Sequence, residues 1–241
     1  MTRTLDAGAG LVLFFRDKYV TSWPTARTGW ARTQTLTELC DQRWRSDVHF
    51  VAYLPGEPIG DPPAAATLGF DAAGNRIRNE RVQQIDDDFG RSVRRRYDNE
   101  ALGCFRFMMT LWVADVDEPA AHVTGKPARP AWIELMAHRL AHVAERHPKV
   151  FAFTTRGGIR IIFQRETPFA IETKADAIRY RTHEYQRFVR YLGRAFDIRV
   201  DPACANFSRL FRAPHVRRKV GDRWEDQHAT FIGDPADLEV L

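Results

Sequence analysis

The segment Leu111-Trp-Val-Ala-Asp-Val-Asp-Glu-Pro119 ends an apolar run on two aspartates, Asp115 and Asp117. Residues two apart in a strand share a face and stand roughly 7 Å apart. Two carboxylates so placed can share a pair of hard cations such as Mg²⁺ or Mn²⁺. Nucleotidyl transfer needs such a pair, one ion to activate the attacking hydroxyl and one to neutralise the triphosphate. A D-x-D pair by itself also suits an ordinary exposed strand end. The apolar run before it places the acids at the edge of a core, on a rigid element.

Two further segments carry polar chemistry. In Phe153-Thr-Thr-Arg-Gly-Gly-Ile-Arg-Ile-Ile-Phe163, Gly157 and Gly158 join two strands. Glycines let a backbone approach a ligand, and their N–H groups can point at a phosphate, although the same pair also makes a plain turn. Alternation puts Arg160, Ile162 and Gln164 on one face of the returning strand and Ile159, Ile161 and Phe163 on the other. In Val200-Asp-Pro-Ala-Cys-Ala-Asn-Phe-Ser-Arg-Leu-Phe-Arg-Ala-Pro214, Asp201 follows a short extended stretch. Arg209 and Arg212, three apart, can grip phosphates.

The elements that must hold these segments are legible from periodicity. A helix is expected over Thr35–Arg45, a strand over Val48–Leu54, a proline-rich loop over Pro55–Pro63 and a turn at Gly69–Asn75. Asp86-Asp87-Asp88 with Arg91 and Arg94-Arg95-Arg96 is a mixed charge run, read as a solvated segment. From Phe105 the pattern sharpens. Phe105–Val116 is a strand, and Ala131–Arg146 a helix with Trp132, Leu135, Met136, Leu140 and Val143 on one stripe. Val150–Thr155 and Ile159–Gln164 are strands around the Arg156-Gly157-Gly158 turn. Lys174–Phe196 is a helix with Ile178, Tyr185, Phe188, Val189, Leu192 and Phe196 inward, and Ile198–Val200 is extended. Strand, helix, strand, strand, helix, strand is the ferredoxin-like or RRM-like order, an α+β module with an antiparallel sheet and two helices on one face. The strand over 105–116 is apolar at odd and even positions alike, so both sheet faces should be covered. The expectation is one domain over 1–241, with an N-terminal α/β module over 1–100 packed against an RRM-like catalytic module over 101–241.

In their order and spacing the three segments resemble the archaeo-eukaryotic primase superfamily, in particular the primase-polymerases of phage and plasmid replication. That family's pattern is an apolar strand ending in D-x-D, a small-residue or Gly-Gly turn ending in a histidine, and an apolar residue followed by Asp. Here these fall on Asp115 and Asp117, on Thr155 to Arg160, and on Asp201, and Arg209-Leu-Phe-Arg-Ala-Pro214 is similar to the R-x-x-R-x-P stretch of the phage and plasmid members. The resemblance runs from Leu111 to Lys219; the first hundred residues match by position only. It implies the primase-polymerase fold and a template-dependent nucleotidyltransferase, a DNA primase or polymerase serving the replication of a mobile element. Asp115, Asp117 and Asp201 would be its catalytic, metal-ligating residues, with two Mg²⁺ or Mn²⁺ ions as cofactors. Thr155, Arg156, Gly157, Gly158, Arg160, Arg209 and Arg212 would bind the nucleotide. The implied partners are an NTP or dNTP, a single-stranded or primer-template DNA, and a fused or associated helicase. One departure stands out. The family's histidine, which contacts the triphosphate, is Arg160 here. Arginine still offers a cation and several donors to phosphate, but it does not titrate near neutral pH. The departure opens an alternative: a primase-fold, nucleic-acid-binding replication initiator with little or no catalysis.

Composition fits either reading. The chain has 241 residues, is 44% hydrophobic, carries a net charge of +5, and has 36 basic residues of which only five are lysine. Such an arginine excess suits phosphate, and it is also what a GC-rich genome encodes. No apolar run is long enough to span a membrane, and the start has no cleavable signal pattern, so a cytoplasmic location without membrane partners is expected. Cys40, Cys104 and Cys204 are scattered, without a C-x-x-C pair, and read as buried thiols. His138 and His142 lack the intervening glutamate of a zinc helix, Asn206-Phe-Ser208 is a sequon without secretion context, and no P-loop occurs. His122, five residues past Asp117, and His215 read first as ordinary surface histidines and second as contacts to the site, and Trp23, Trp30 and Trp44 first as core and second as base-stacking residues. An RNA binder of RRM type needs aromatics on its central strand, and none is evident. A metal nuclease could use the same acids, and product length separates it from a polymerase.

Overall fold

The computed structural model of the protein describes residues 11–15, 32–34, 36–45, 48–59, 105–144, 150–238 and 240–241. In chain order these form β1 (Leu11–Phe15), β2 (Arg32–Gln34), α1 (Leu36–Asp41), β3 (Val48–Phe50), β4 (Tyr53–Pro58) and β5 (Phe105–Asp117). There follow α2 (Pro119–Thr124), α3 (Pro130–Ala144), β6 (Phe151–Thr154), β7 (Gly158–Ile171), α4 (Lys174–Arg179) and α5 (Tyr185–Phe196). The last strands are β8 (Phe211–Arg212), β9 (Val216–Val220), β10 (Arg223–Gln227) and β11 (Phe231–Ile232). This is a mixed α+β arrangement with antiparallel sheets. A five-stranded sheet has the order β11-β6-β7-β5-β4, a four-stranded sheet the order β2-β1-β3-β8, and β9 and β10 form a separate hairpin.

The apolar β5 is central because both of its faces have partners to bury. On one face Trp112 stacks 6.2 Å from Tyr180 and 5.1 Å from Phe188, while Phe163 of β7 meets Phe188, Tyr191 and Phe196. On the other, Phe50 and Phe211 of the four-stranded sheet lie 5.7 Å apart, and the Arg160 guanidinium sits over both and over Phe153. A single cluster of buried residues runs from Leu36 through Tyr53, Phe107 and Phe207 to Leu238. Burial of aromatics on this scale is the main stabilising term.

Several elements differ from expectation for identifiable reasons. The first helix stops at Asp41, not Arg45, because Trp44 bridges to Val216 and exchanges backbone hydrogen bonds with His215 and Arg217. The strand expected over Val48–Leu54 is two strands. Val48–Phe50 pairs in the four-stranded sheet, and Tyr53–Pro58 pairs with β5 in the other, so the chain crosses between sheets. Pro55 to Pro58, read as loop, lie in β4; it is an edge strand, where a residue without an N–H is tolerated. The Lys174–Phe196 helix contains a π-helical turn at Tyr180–Glu184, where the Tyr185 N–H donates to the Tyr180 carbonyl. The extra residue shifts the helix phase. Tyr180 is therefore buried and Ile178, expected inward, is 57% exposed. Leu135, placed on the inner stripe of the other helix, is also exposed, whereas Met136 and Leu140 are buried. Ile198–Val200 forms no strand; the chain meets β5 here through one backbone hydrogen bond, from the Asp201 N–H to the Asp115 carbonyl. The turn at Gly69–Asn75, the charge run at Asp86–Arg96, Cys104, Trp23 and Trp30 lie outside the described residues.

The Tyr185 hydroxyl donates 2.6 Å to the Val113 carbonyl and ties α5 to the middle of β5. Tyr185→Phe is expected to lower unfolding free energy by about 1 kcal/mol in urea melts. No change would mean that packing alone fixes the helix there.

Candidate functional site

Three segments converge at the end of β5. Cross-strand pairing places Asp115 opposite Arg160 and Asp117 opposite Gly158. Alternation along β5 sends Asp115 and Asp117 to the face away from α4 and α5. The third acid arrives by a single backbone link. The Asp201 N–H donates 2.9 Å to the Asp115 carbonyl, on the stretch of β5 that β4 leaves uncovered. A short 3₁₀ turn at Pro202–Ala205 follows, capped by Asp201 through its Oδ1 on the Ala203 N–H. Buried Cys204 in that turn accepts from the Asp115 N–H, and burial pushes its thiol pKa well up.

The carboxylates are held by guanidinium groups. Arg160 Nε lies 2.6 Å from Asp115 Oδ1, with both side chains at most a tenth exposed. Its Nη1 donates to the Arg212 carbonyl. Arg209 Nη2 lies 3.2 Å from Asp201 Oδ2 and 3.7 Å from Asp115 Oδ2, so one guanidinium bridges two of the acids. Burial opposes the charge on Arg209, but Cys204, Asp115, Asp201 and Asp117 outweigh it and raise its pKa. Among the described residues Asp117 has no arginine partner of this kind. Burial, then the charge of Asp115, raise its pKa; a hydrogen bond from His122 opposes this and Asp201 adds to it. His122 Nδ1 is 3.5 Å from Asp117 Oδ2, so a histidine read as an ordinary surface residue touches the site.

Of the residues assigned to nucleotide binding, Thr155, Arg156, Gly157, Arg160, Arg209 and Arg212 line one cavity of about 180 Å³ together with Asp115, Asp117, Leu210, Arg218 and Gln227. Five arginines against two aspartates favour an anionic occupant. The cavity suits part of a nucleotide; pockets that take a whole drug-sized ligand start at roughly 300 Å³. Gly158 has a part in the fold itself. Its N–H donates to Thr155 Oγ1 within the turn, and a Cβ there would stand 1.9 Å from the Val116 carbonyl oxygen. The glycine is thus required by the approach of β7 to β5. At Gly157 a Cβ would come 2.9 Å from Asp117 Oδ1, so this glycine leaves space for the acid. Arg156 also donates to the Gly125 carbonyl. Arg218 and Gln227 were missed by sequence reasoning; they lie beyond the recognisable segments, on a hairpin with no motif.

Three carboxylates are the donor type that hard divalent cations take. In this structure arginines engage two of them: Arg160 holds Asp115 Oδ1, and Arg209 stands between Asp115 and Asp201. Among the described residues no three His, Cys, Asp or Glu side chains are grouped to hold a metal ion. His138 is exposed on its helix, Cys40 and Cys204 are buried free thiols, and Trp44 packs against the core. His215 is half-buried, its Nδ1 accepting from the Ala229 N–H. No helix among the described residues is long and apolar enough to cross a membrane. Comparison with protein families, curated proteins and solved structures finds no match to this chain.

Ionised Asp117 is penalised first by burial and then by the charges of Asp115 and Asp201. Because folding raises its pKa, the penalty is complete above that raised value and vanishes once pH falls below the unfolded value. Asp117→Asn is therefore expected to stabilise the fold at neutral pH by less than ~1 kcal/mol, given partial exposure. The gain should shrink as pH drops towards about 4. Thermal melts of both proteins across this range test it; equal stability at neutral pH would remove the repulsion.

Proposed function

We propose that the chain is a template-dependent nucleotidyltransferase of primase-polymerase type, joining nucleotides on DNA in the replication of a mobile element. The observation that carries this is the junction of Asp201 with the Asp115–Asp117 strand end over an arginine-lined cavity. Support from topology is narrower. The order β6-β7-β5 is compatible with an RRM-like module, and α3 packs on α5 and β7, but among the described residues no strand after α5 flanks β5, and β4 stands in that position. On this reading three strands of the four-stranded sheet come from the N-terminal module of a single domain, and β8 joins them from the catalytic module.

Arginines do the binding in this reading. The phosphate chain of an NTP or dNTP enters the cavity and takes Arg212, Arg218 and Arg209, whose planar forks suit phosphate oxygens. Arg209 then exchanges carboxylate partners for phosphate. Arg160 remains with Asp115 beneath the rings of Phe50, Phe153 and Phe211 and fixes the strand end. The Mg²⁺ or Mn²⁺ pair implied by the resemblance, when bound to Asp115, Asp117 and Asp201, supplies neutralisation of phosphate charge and activation of a hydroxyl.

The Arg160–Asp115 pair favours a second reading. An acid neutralised by a buried arginine suits a primase-fold protein that binds nucleic acid, as a replication initiator, without catalysis. The two readings separate in one assay, incorporation of labelled nucleotide on primed and unprimed single-stranded DNA with Mg²⁺ or Mn²⁺. The wild type is expected to extend, and Asp115→Ala with Asp117→Ala to lose at least ~100-fold in rate. DNA binding without extension by the wild type selects the initiator; equal extension by both proteins rejects the mechanism.

A further inference from the structure

The helix-covered face of the five-stranded sheet carries a second cavity, of about 420 Å³, whose walls include Trp112, Arg165, Glu184, Arg187, Phe188 and Tyr191. It shares no lining residue with the arginine-lined cavity beside the acids. Alternation along β5 separates the two. Trp112 packs on α5, while Asp115 and Asp117 point to the opposite face. A volume of this size takes a whole small ligand.

Two backbone irregularities meet at this cavity. Pairing of β5 with β7 jumps from Leu111 opposite Gln164 to Met109 opposite Phe169, so Thr110 alone faces the excursion from Arg165 to Pro168. In the facing helix, Glu184 closes the π-helical turn. Bulges and π-turns both concentrate at functional sites. Here one ion pair joins them, with Arg165 Nη2 3.3 Å from Glu184 Oε2. The Arg165 guanidinium is buried, its carbon 3.7 Å from the Trp112 ring centroid, and its Nε donates to the Thr167 carbonyl. Among the described residues its buried Nη1 has no acceptor. An unpaired buried donor is costly, and an acceptor in the cavity relieves that cost.

Charge around the cavity is uneven. Glu184 is committed to Arg165, and the other acid of the lining, Glu166, is exposed. Among the described residues Arg187, Arg190 and Arg194 have no carboxylate partner. All three are exposed, and their spacing of three and four puts them on one side of α5. With Tyr191 they line an adjoining cavity of about 450 Å³, and Arg187 and Tyr191 belong to both. Unpaired guanidinium groups in a row suit successive phosphates of one chain. The aromatic wall of Phe188 and Tyr191 suits a planar ring.

We propose that this face binds a nucleoside polyphosphate, its base in the cavity beside Arg165 and its phosphate chain along Arg187, Arg190 and Arg194. Two adjoining cavities of this size hold one small molecule rather than a strand. The site lies apart from the acids and does not depend on the nucleotidyl-transfer reading.

The test uses the full chain and ATP with a fluorescent label on its ribose, in EDTA, with binding followed by anisotropy. Arg187→Gln and Arg190→Gln are each expected to weaken binding about tenfold. Both positions are exposed, so the variants should keep the wild-type circular dichroism spectrum. Unlabelled ATP is expected to compete at least ~10-fold better than inorganic tripolyphosphate, because the base has a seat of its own. Equal competition by tripolyphosphate reduces the site to a phosphate cleft and overturns the nucleotide assignment. A single-stranded oligodeoxynucleotide that competes better than ATP, with the same dependence on Arg190, overturns the small ligand in favour of a nucleic-acid surface. Binding that is lost in Arg212→Gln but unchanged in Arg187→Gln and Arg190→Gln puts the nucleotide beside the acids; it rejects this site and leaves the transferase reading standing. If the wild type binds no ATP in EDTA, the inference falls, and nucleotide incorporation with Mg²⁺ or Mn²⁺ decides the transferase reading separately.

Discussion

The Asp115 carboxylate is the point on which the described architecture turns. Its Oδ1 is bound to Arg160 on the neighbouring strand and its Oδ2 faces Arg209 from a distant segment. Removing one partner of a buried ion pair costs about 3–5 kcal/mol, because the remaining charge is left uncompensated. Arg160 is therefore as much a part of the fold as of the site. It closes the interval between the two sheets, with Phe50 and Phe211 on one side and Phe153 on the other. The Asp115 main chain contributes as well: its carbonyl receives Asp201 and its N–H meets Cys204, so strand end and acid cluster form together.

This arrangement explains how three acids can lie near one another in an apolar setting. Asp115 and Asp201 share the charge of Arg209, whereas Asp117 is left to a histidine and raised in pKa by its neighbours. A guanidinium and a hydrated divalent ion satisfy the same carboxylates but not at the same time. Occupancy by Arg209 thus describes one state of the site, with its charge balanced inside the protein. On the proposed nucleotide-binding reading, an arriving phosphate would give Arg209 another anion and release the carboxylates. Coupling of anion binding to the freeing of acids follows from charge balance alone.

Much of the second half of the fold was legible because its signals are local. The apolar run ending at Asp117, the Gly-Gly turn and the helix before Ala144 are set by periodicity and turn chemistry, and they stand within a residue or two of expectation. What escaped was set by tertiary context. The π-helical turn that buries Tyr180 in place of Ile178 follows from packing against Trp112, which no propensity encodes. Pro55 to Pro58 read as loop, yet an edge position accepts them in a strand. Ile198–Val200 has strand-forming residues, yet only the following Asp201 N–H bonds β5 through the backbone, at the Asp115 carbonyl. In the site, the D-x-D pair and the arginines of Arg209-Leu-Phe-Arg212 were recognisable by spacing. The partnership of Arg160 with Asp115 was not, since it depends on which residues of β5 and β7 face each other across a bulge between Met109 and Leu111. At Gly158, expected to face phosphate, the close approach of the Val116 carbonyl by itself requires a glycine.

The most direct test of this account is a crystal structure of the protein with Mn²⁺ and a non-hydrolysable nucleoside triphosphate, with anomalous scattering measured at the manganese edge. The expected map has manganese within coordination distance of Asp115, Asp117 and Asp201, roughly 2.0–2.2 Å as for hard cations of this size, and Arg209 turned from the acids to the phosphate chain. A map in which Arg209 still bridges Asp115 and Asp201, with no anomalous peak beside the three carboxylates, would contradict it.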